Sequence, residues 1–256
     1  MDYPRTFDQL PPGASKICYY SSLGSTSTKL RRLAEEGAPE GTVALADTQS
    51  AGRGRRGRFW HSPPGKGIYF SVLLRPPQLD PAGAAPLTLV AAVAAARGLR
   101  DTTGVPVAVK WPNDLLVGPR KLGGILTEAK TSGRKVHYLV LGIGLNVNHL
   151  STDFPAELRA AATSLRLESK QVFKRPDLFF ALLERVLRDC RLFFQTGFAP
   201  FQQPWRKMSA TLGNTVVLDG ASGKLRGKAV DLDSTGALLV EDGQGKLHRI
   251  FCGEIR

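Results

Sequence analysis

Residues 49–60 read Gln49-Ser50-Ala51-Gly52-Arg53-Gly54-Arg55-Arg56-Gly57-Arg58-Phe59-Trp60, with four arginines and three glycines packed into positions 52–58. Glycine lets the backbone turn through positive φ and approach a ligand closely. Arginine offers a planar fork that matches the oxygens of a phosphate or carboxylate. Crowding these groups has a cost, since two unit charges ~6 Å apart in water repel by roughly 0.7 kcal/mol. The stretch therefore reads as a loop that wraps an anion, mobile when empty and ordered when filled. A flexible, solvated basic surface loop is the alternative.

Gly52, Gly54 and Gly57 also fit G-x-G-x-x-G, which needs a strand before it and a helix after it to bind a dinucleotide. Thr42 to Ala46 supplies the strand, but His61-Ser62-Pro63-Pro64-Gly65-Lys66-Gly67 cannot open a helix. A kinase glycine loop is excluded because H-R-D and D-F-G elements are lacking.

Lys+Arg 35 against Asp+Glu 22 gives a net charge of +13, which points to an anionic partner. No basic run of five or more marks a nucleic-acid tail. Cys18, Cys190 and Cys252 are too scattered for a disulfide framework, favouring a reducing cytoplasm. The four histidines show no zinc spacing. No apolar signal core opens the chain, and the uncharged run Leu87 to Ala96 is too short to span a bilayer. A cytoplasmic protein without membrane attachment is expected.

Strands are predicted at Lys16 to Tyr20, Ile68 to Leu74, Val105 to Val109 and Val136 to Leu141, and helices over 29–36, 84–100, 176–194 and 199–208. Residues 155–169 read as helix or loop. Between Lys16–Tyr20 and the first helix lie Ser21-Ser22-Leu23-Gly24-Ser25-Thr26-Ser27-Thr28. Capping uses one of these hydroxyls; Ser25 and Thr26 are open to capping or ligand contact. Lys110, Asn113 and Asp114 gather at a strand end, and the pair Gly123-Gly124 marks a strand that something approaches closely. The pattern is α+β, with a mixed, largely antiparallel sheet. Eight glycines in the last 48 residues, with short apolar runs between turns, predict a small five-stranded SH3-like barrel. The domains are expected at 1–208 and 209–256.

Four segments, Gly52 to Trp60, Lys110-Trp111-Pro112-Asn113-Asp114-Leu115, Lys121-Leu122-Gly123-Gly124-Ile125-Leu126 and Gly142-Ile143-Gly144-Leu145-Asn146-Val147, together resemble biotin–protein ligase, also called biotin–[acetyl-CoA-carboxylase] ligase, in order and spacing. The resemblance covers about residues 16–256. It implies a class II synthetase-like catalytic fold and a two-step reaction using biotin and ATP with Mg2+. Biotin becomes biotinyl-5′-AMP and is then passed to a lysine of a biotin carboxyl carrier domain.

By that resemblance Lys110 and Arg53 are catalytic. Ser25, Thr26, Gln49, Gly52, Arg53, Gly54, Arg55, Lys110, Leu115, Gly123 and Gly124 are implied around biotin. Arg53, Arg55, Arg58, Trp60, Lys110, Asn113 and Asn146 are implied around the nucleotide, with Trp60 packing the loop shut; the metal ligands are not assigned. The family often has Asn where this chain has Ser27. Some members carry an N-terminal DNA-binding domain of about 60 residues. The ligase-like region here begins by about residue 16, so a monofunctional enzyme with no specific DNA partner is expected; homodimerisation through the central sheet stays open. The rival readings are a lipoate- or octanoyl-protein ligase, a basic nucleic-acid-binding module and a catalytically dead biotin-binding regulator.

Overall fold

A computed structural model describes residues 3–4, 7, 9–77, 79–220 and 223–255, the side chains of 219, 220 and 223 excepted. The chain begins with β1 (Lys16–Tyr20), crosses over through α1 (Thr26–Glu35) and returns as β2 (Thr42–Ala46), parallel to β1 with Ile17 opposite Val43. Every later pairing in this sheet is antiparallel. β3 (Gly67–Leu74), β4 (Ala108–Lys110), β5 (Asp114–Val117), β6 (Arg120–Ser132) and β7 (Lys135–Asn146) complete a seven-stranded sheet of order β1-β2-β3-β7-β6-β5-β4. The expected mixed, largely antiparallel α+β architecture is present.

Strand alternation sends successive side chains to opposite faces. Val43, Leu45, Phe70, Val72, Leu141, Ile143 and Leu145 face the main core, with α3 (Leu87–Thr103) and α5 (Arg175–Thr196) against them. Ala44, Leu73 and Val140 face the other way and pack with Leu30 and Ala34 of α1. The rest of that second face is left uncovered by α1, and it carries the cavity described below. α3 approaches the sheet closely because Ala91, Ala92, Ala94, Ala95 and Ala96 are all fully buried. The segment Pro81–Thr103 is long and apolar enough to cross a membrane, with a mean hydropathy of 1.5, yet 72% of that window is buried inside the protein. Its apolar surface is used by the core.

Several boundaries move. The first helix begins at Thr26 rather than Lys29, because Ser25 caps it, accepting from the Thr28 amide at 3.5 Å. The strand expected from Val105 is only the three residues of β4. The 84–100 helix runs from Leu87 to Thr103 behind a separate turn, α2 (Pro81–Ala84). Residues 155–169 hold a single 3-10 turn, Ala156–Leu158, and the short α4 (Leu165–Ser169).

After α6 (Ala199–Met208) come β8 (Thr215–Gly220), β9 (Gly223–Leu232), β10 (Leu238–Asp242) and β11 (Leu247–Ile250), an antiparallel sheet of order β11-β10-β9-β8. The expected fifth strand is reduced to one bridge between Leu218 and Ile255. Trp111 joins the two sheets. Its amide donates to Thr211 Oγ1 at 2.9 Å and its indole to the Gly236 carbonyl at 3.3 Å.

The small face of α3 yields a direct test. Ala92→Leu forces extra methylenes into a fully buried position and is expected to lower unfolding free energy by about 1–3 kcal/mol in urea denaturation.

Candidate active site

The cavity occupies about 300 Å3 on the uncovered face of the sheet. Its floor is glycine. Gly124 of β6 lies directly opposite Gly144 of β7, and Gly142 lies two residues further along. A Cβ at Gly144 would stand 2.5 Å from Trp60 Nε1, and one at Gly124 would stand 3.4 Å from Trp60 Cζ3. The indole of Trp60 thus rests on bare backbone at Gly144, where only glycine leaves room, and in ordinary contact range at Gly124.

Alternation also corrects two expectations. Gly123 and Leu115 do not line the cavity. Leu115 is fully buried in the main core, and a Cβ at Gly123 would meet the Leu145 and Leu115 side chains. They flank the floor from behind, because adjacent residues of a strand cannot both face one side. Gly52 is likewise not a lining residue. Its carbonyl accepts from the Trp60 amide at 2.9 Å, and a Cβ there would sit 2.3 Å from the Trp60 carbonyl oxygen. It allows the loop to close on itself.

One end of the cavity is neutral and polar. Thr26 donates from its amide to Gln49 Oε1 at 2.8 Å, and its hydroxyl lies 3.2 Å from the same oxygen. Gln49 Nε2 donates to Ser62 Oγ at 3.0 Å. The hydroxyls of Thr26 and Ser27 reach Ser71 Oγ at 2.9 and 3.1 Å. Ser25 both caps α1 and lines the cavity. Ser71, fully buried in β3, escaped sequence reasoning; the only trace in the chain is one hydroxyl within an apolar strand.

The other end is cationic. Arg53 pairs with Glu128 at 2.9 Å, and Arg31 shares that oxygen at 3.5 Å. Arg55 donates to Asn113 Oδ1 at 3.1 Å and to the Gly253 carbonyl at 3.3 Å. Burial, with neighbouring Arg56, lowers the pKa of the Arg55 guanidinium. Arg58 pairs with Glu254. Gly54 lines this rim, as does Arg56, which is exposed and takes a left-handed φ of 56°. Lys110 lines the cavity, and its ammonium has no hydrogen-bond or ion-pair partner among the described residues. Asn113 also donates to the Ile125 carbonyl at 3.1 Å, and Asn146 to the Thr163 carbonyl at 3.0 Å, so both serve the framework as well as the lining.

A second lysine went unassigned in the sequence. Lys121 lies 2.7 Å from Asp114 and 5.6 Å above the Trp60 ring. It is therefore held in place, as Lys110 is not. Phe154, Leu158, Ala161 and Ala162 form an apolar wall that sequence reasoning also missed. That wall is braced by His149, fully buried and stacked on Phe154 with ring centroids 4.9 Å apart.

Residues 19–146 match the biotin/lipoate A/B protein ligase family, and residues 211–255 match the biotin protein ligase C terminal domain. A bifunctional ligase/repressor BirA of Bacillus subtilis is 37% identical, over 93% of this chain and 73% of that protein. A biotin–[acetyl-CoA-carboxylase] ligase of Paracoccus denitrificans is 33% identical, over 87% of this chain and 92% of its own length. Among solved structures, the biotin protein ligase from Aquifex aeolicus in complex with biotin and ATP superposes with a TM-score of 0.81 at 31% identity, covering 94% of this chain and 98% of that one. The chain belongs to the biotin/lipoate A/B protein ligase family.

Burial lowers the pKa of His149 to about 3, whereas an unfolded histidine titrates near ~6.5. The unfolded chain thus binds the extra proton first, and stability falls as pH drops from about 6.5 toward the folded value. Chemical denaturation at pH 7 and pH 5 is expected to show this loss, and His149→Phe to reduce the slope over that interval.

Proposed function

We infer that the protein is an ATP-dependent biotin–protein ligase. The carrying observation is a single cavity with a neutral hydrogen-bonding end at Thr26, Gln49 and Ser71 and a cationic end at Arg53, Arg55, Lys110 and Lys121. Biotin has that polarity, with a neutral ureido ring at one end and a carboxylate at the other. The dithiolane of lipoate would leave the buried amide and hydroxyls without a polar ligand partner, which disfavours that rival.

In the first step a biotin carboxylate oxygen attacks the α-phosphorus of ATP, and the bond from that phosphorus to the α,β-bridging oxygen breaks, its electron pair leaving with pyrophosphate. Biotinyl-5′-AMP and pyrophosphate result. Two anions must meet for this, so fixed positive charge at the meeting point lowers the barrier most. Arg53 and Lys121 neutralise the approaching carboxylate and phosphate, Lys110 adds a free ammonium, and Arg55 and Arg58 face the departing phosphates. Mg2+ enters with ATP. Among the described residues no three His, Cys, Asp or Glu side chains gather into a cation site, which suits an ion carried mainly by phosphate oxygens.

In the second step the ε-amine of a lysine on a biotin carboxyl carrier domain attacks the anhydride carbonyl. The amide forms, AMP leaves with the electron pair, and the amine gives up a proton. Trp60, closed on its glycine floor, excludes water that would hydrolyse the anhydride. This reading includes a catalytic unit over 1–208 and a C-terminal unit over 209–256, a cytoplasmic setting, and no specific DNA target. The paired loop arginines beside a cavity favour a small anion over a duplex.

Biotin-dependent ATP–pyrophosphate exchange tests it. Arg53→Ala and Lys121→Ala are each expected to lower exchange by about 10²–10³-fold, the effect of removing a preorganised electrostatic donor. Lys110→Ala, which removes a charge not held in place, is expected to cost only about tenfold. Exchange driven equally well by lipoate would overturn the biotin assignment.

A further inference from the structure

We propose that Arg175 is a positioning residue for the arginine loop, holding both of its stems and so fixing where its cations stand over the cavity. The loop leaves β2 at Asp47 and re-enters the sheet at Gly67. Arg175 Nη1 donates to Asp47 Oδ1 at 2.7 Å and to the Gly67 carbonyl at 3.0 Å. Asp47 Oδ1 also accepts from the Gly65 amide at 3.1 Å. One guanidinium thereby joins the departing strand to the returning one.

The placement of this cation is hard to explain by stability alone. Arg175 is only 2% exposed, and a buried ion pair is commonly no more stabilising than a well-packed apolar substitute. It is also the first residue of the 22-residue α5, preceded by Lys174 and with no side-chain cap, where the helix dipole disfavours positive charge. What the arrangement gains is a connection. α5 is locked to the core through Leu178, Phe179, Leu182 and Leu183, and Tyr3 covers the guanidinium with its ring centroid 5.2 Å away. A glycine-rich loop that must present several arginines thus has its base fixed to a helix packed in the main core, although α5 supplies no residue to the cavity lining.

The kinetic part of the test rests on the ligase reading; the proteolytic part does not. Trypsin cleavage after Arg53, Arg55, Arg56 and Arg58 is followed in the native protein without substrate. Arg175→Met is expected to speed cleavage about fivefold or more by freeing the stems. It is also expected to raise KM for ATP about tenfold, and KM for biotin less, because the loop carries the nucleotide-side cations. Arg175→Lys, which keeps the charge, should recover most of both losses. Leu182→Ala, a core truncation on the same helix, should lower Tm and leave cleavage rate and KM within about twofold of the parent.

Should Arg175→Met fail to fold, Asp47→Asn carries the same expectation. The proposal is overturned if the folded stem variant is cleaved at the parental rate, or if Leu182→Ala reproduces its KM split. A parent protein with no biotin-dependent exchange would reject the ligase reading instead, leaving the stem clamp to be decided by cleavage alone.

Discussion

Concentrated positive charge is tolerated in a fold only where acceptors answer it, and this chain supplies them from distant parts of its sequence. Glu128 on β6 answers Arg53, Asn113 and the Gly253 carbonyl answer Arg55, and Glu254 answers Arg58. Asp114 answers Lys121. The central sheet, the turn after β4 and the C-terminal tail must therefore converge on one loop. That convergence encloses the cavity, and it explains why a chain with +13 net charge presents its arginine cluster at the mouth of a pocket. On the proposed ligase reading a substrate's oxygens replace these acceptors, so ligand arrival is an exchange of anions in place of an approach to bare cations.

The second constraint is steric. Trp60 can lie against the sheet only because Gly144, paired with Gly124, carries no side chain. Lys121 reaches over that ring, and Phe154, Leu158, Ala161 and Ala162 close the remaining side. Floor, roof and charge are thus separate contributions. The neutral Thr26–Gln49–Ser71 end is built differently again, from the N-terminus of α1 and the middle of β3.

Much of this was legible in the chain. Apolar runs and period-3.6 patterns located most of the central-sheet strands and the long helices, though not β5, β9 or β11, and the arginine loop could not be mistaken for a regular element. What the sequence could not supply was phase. Gly123 and Gly124 are neighbours and both are expected around biotin together with Leu115, yet strand alternation puts only Gly124 on the cavity side. Lys110 and Lys121 both sit beside glycine- or proline-marked turns; their difference lies in the contact with Asp114, which depends on how β5 pairs with β6. Ser71 was hidden for the opposite reason, since a single hydroxyl barely changes an apolar strand pattern. The apolar wall at 154–162 lies in irregular backbone, where periodicity carries no signal.

The most direct measurement is a crystal structure with biotin and a non-hydrolysable ATP analogue bound together. Arg53 should have left Glu128, and Arg58 should have left Glu254, with Arg53 and Lys121 within hydrogen-bond distance of the carboxylate and α-phosphate oxygens and the ureido ring against Thr26, Gln49 and Ser71. A complex in which both arginines keep their carboxylate partners while the ligands bind elsewhere would contradict the charge-exchange mechanism.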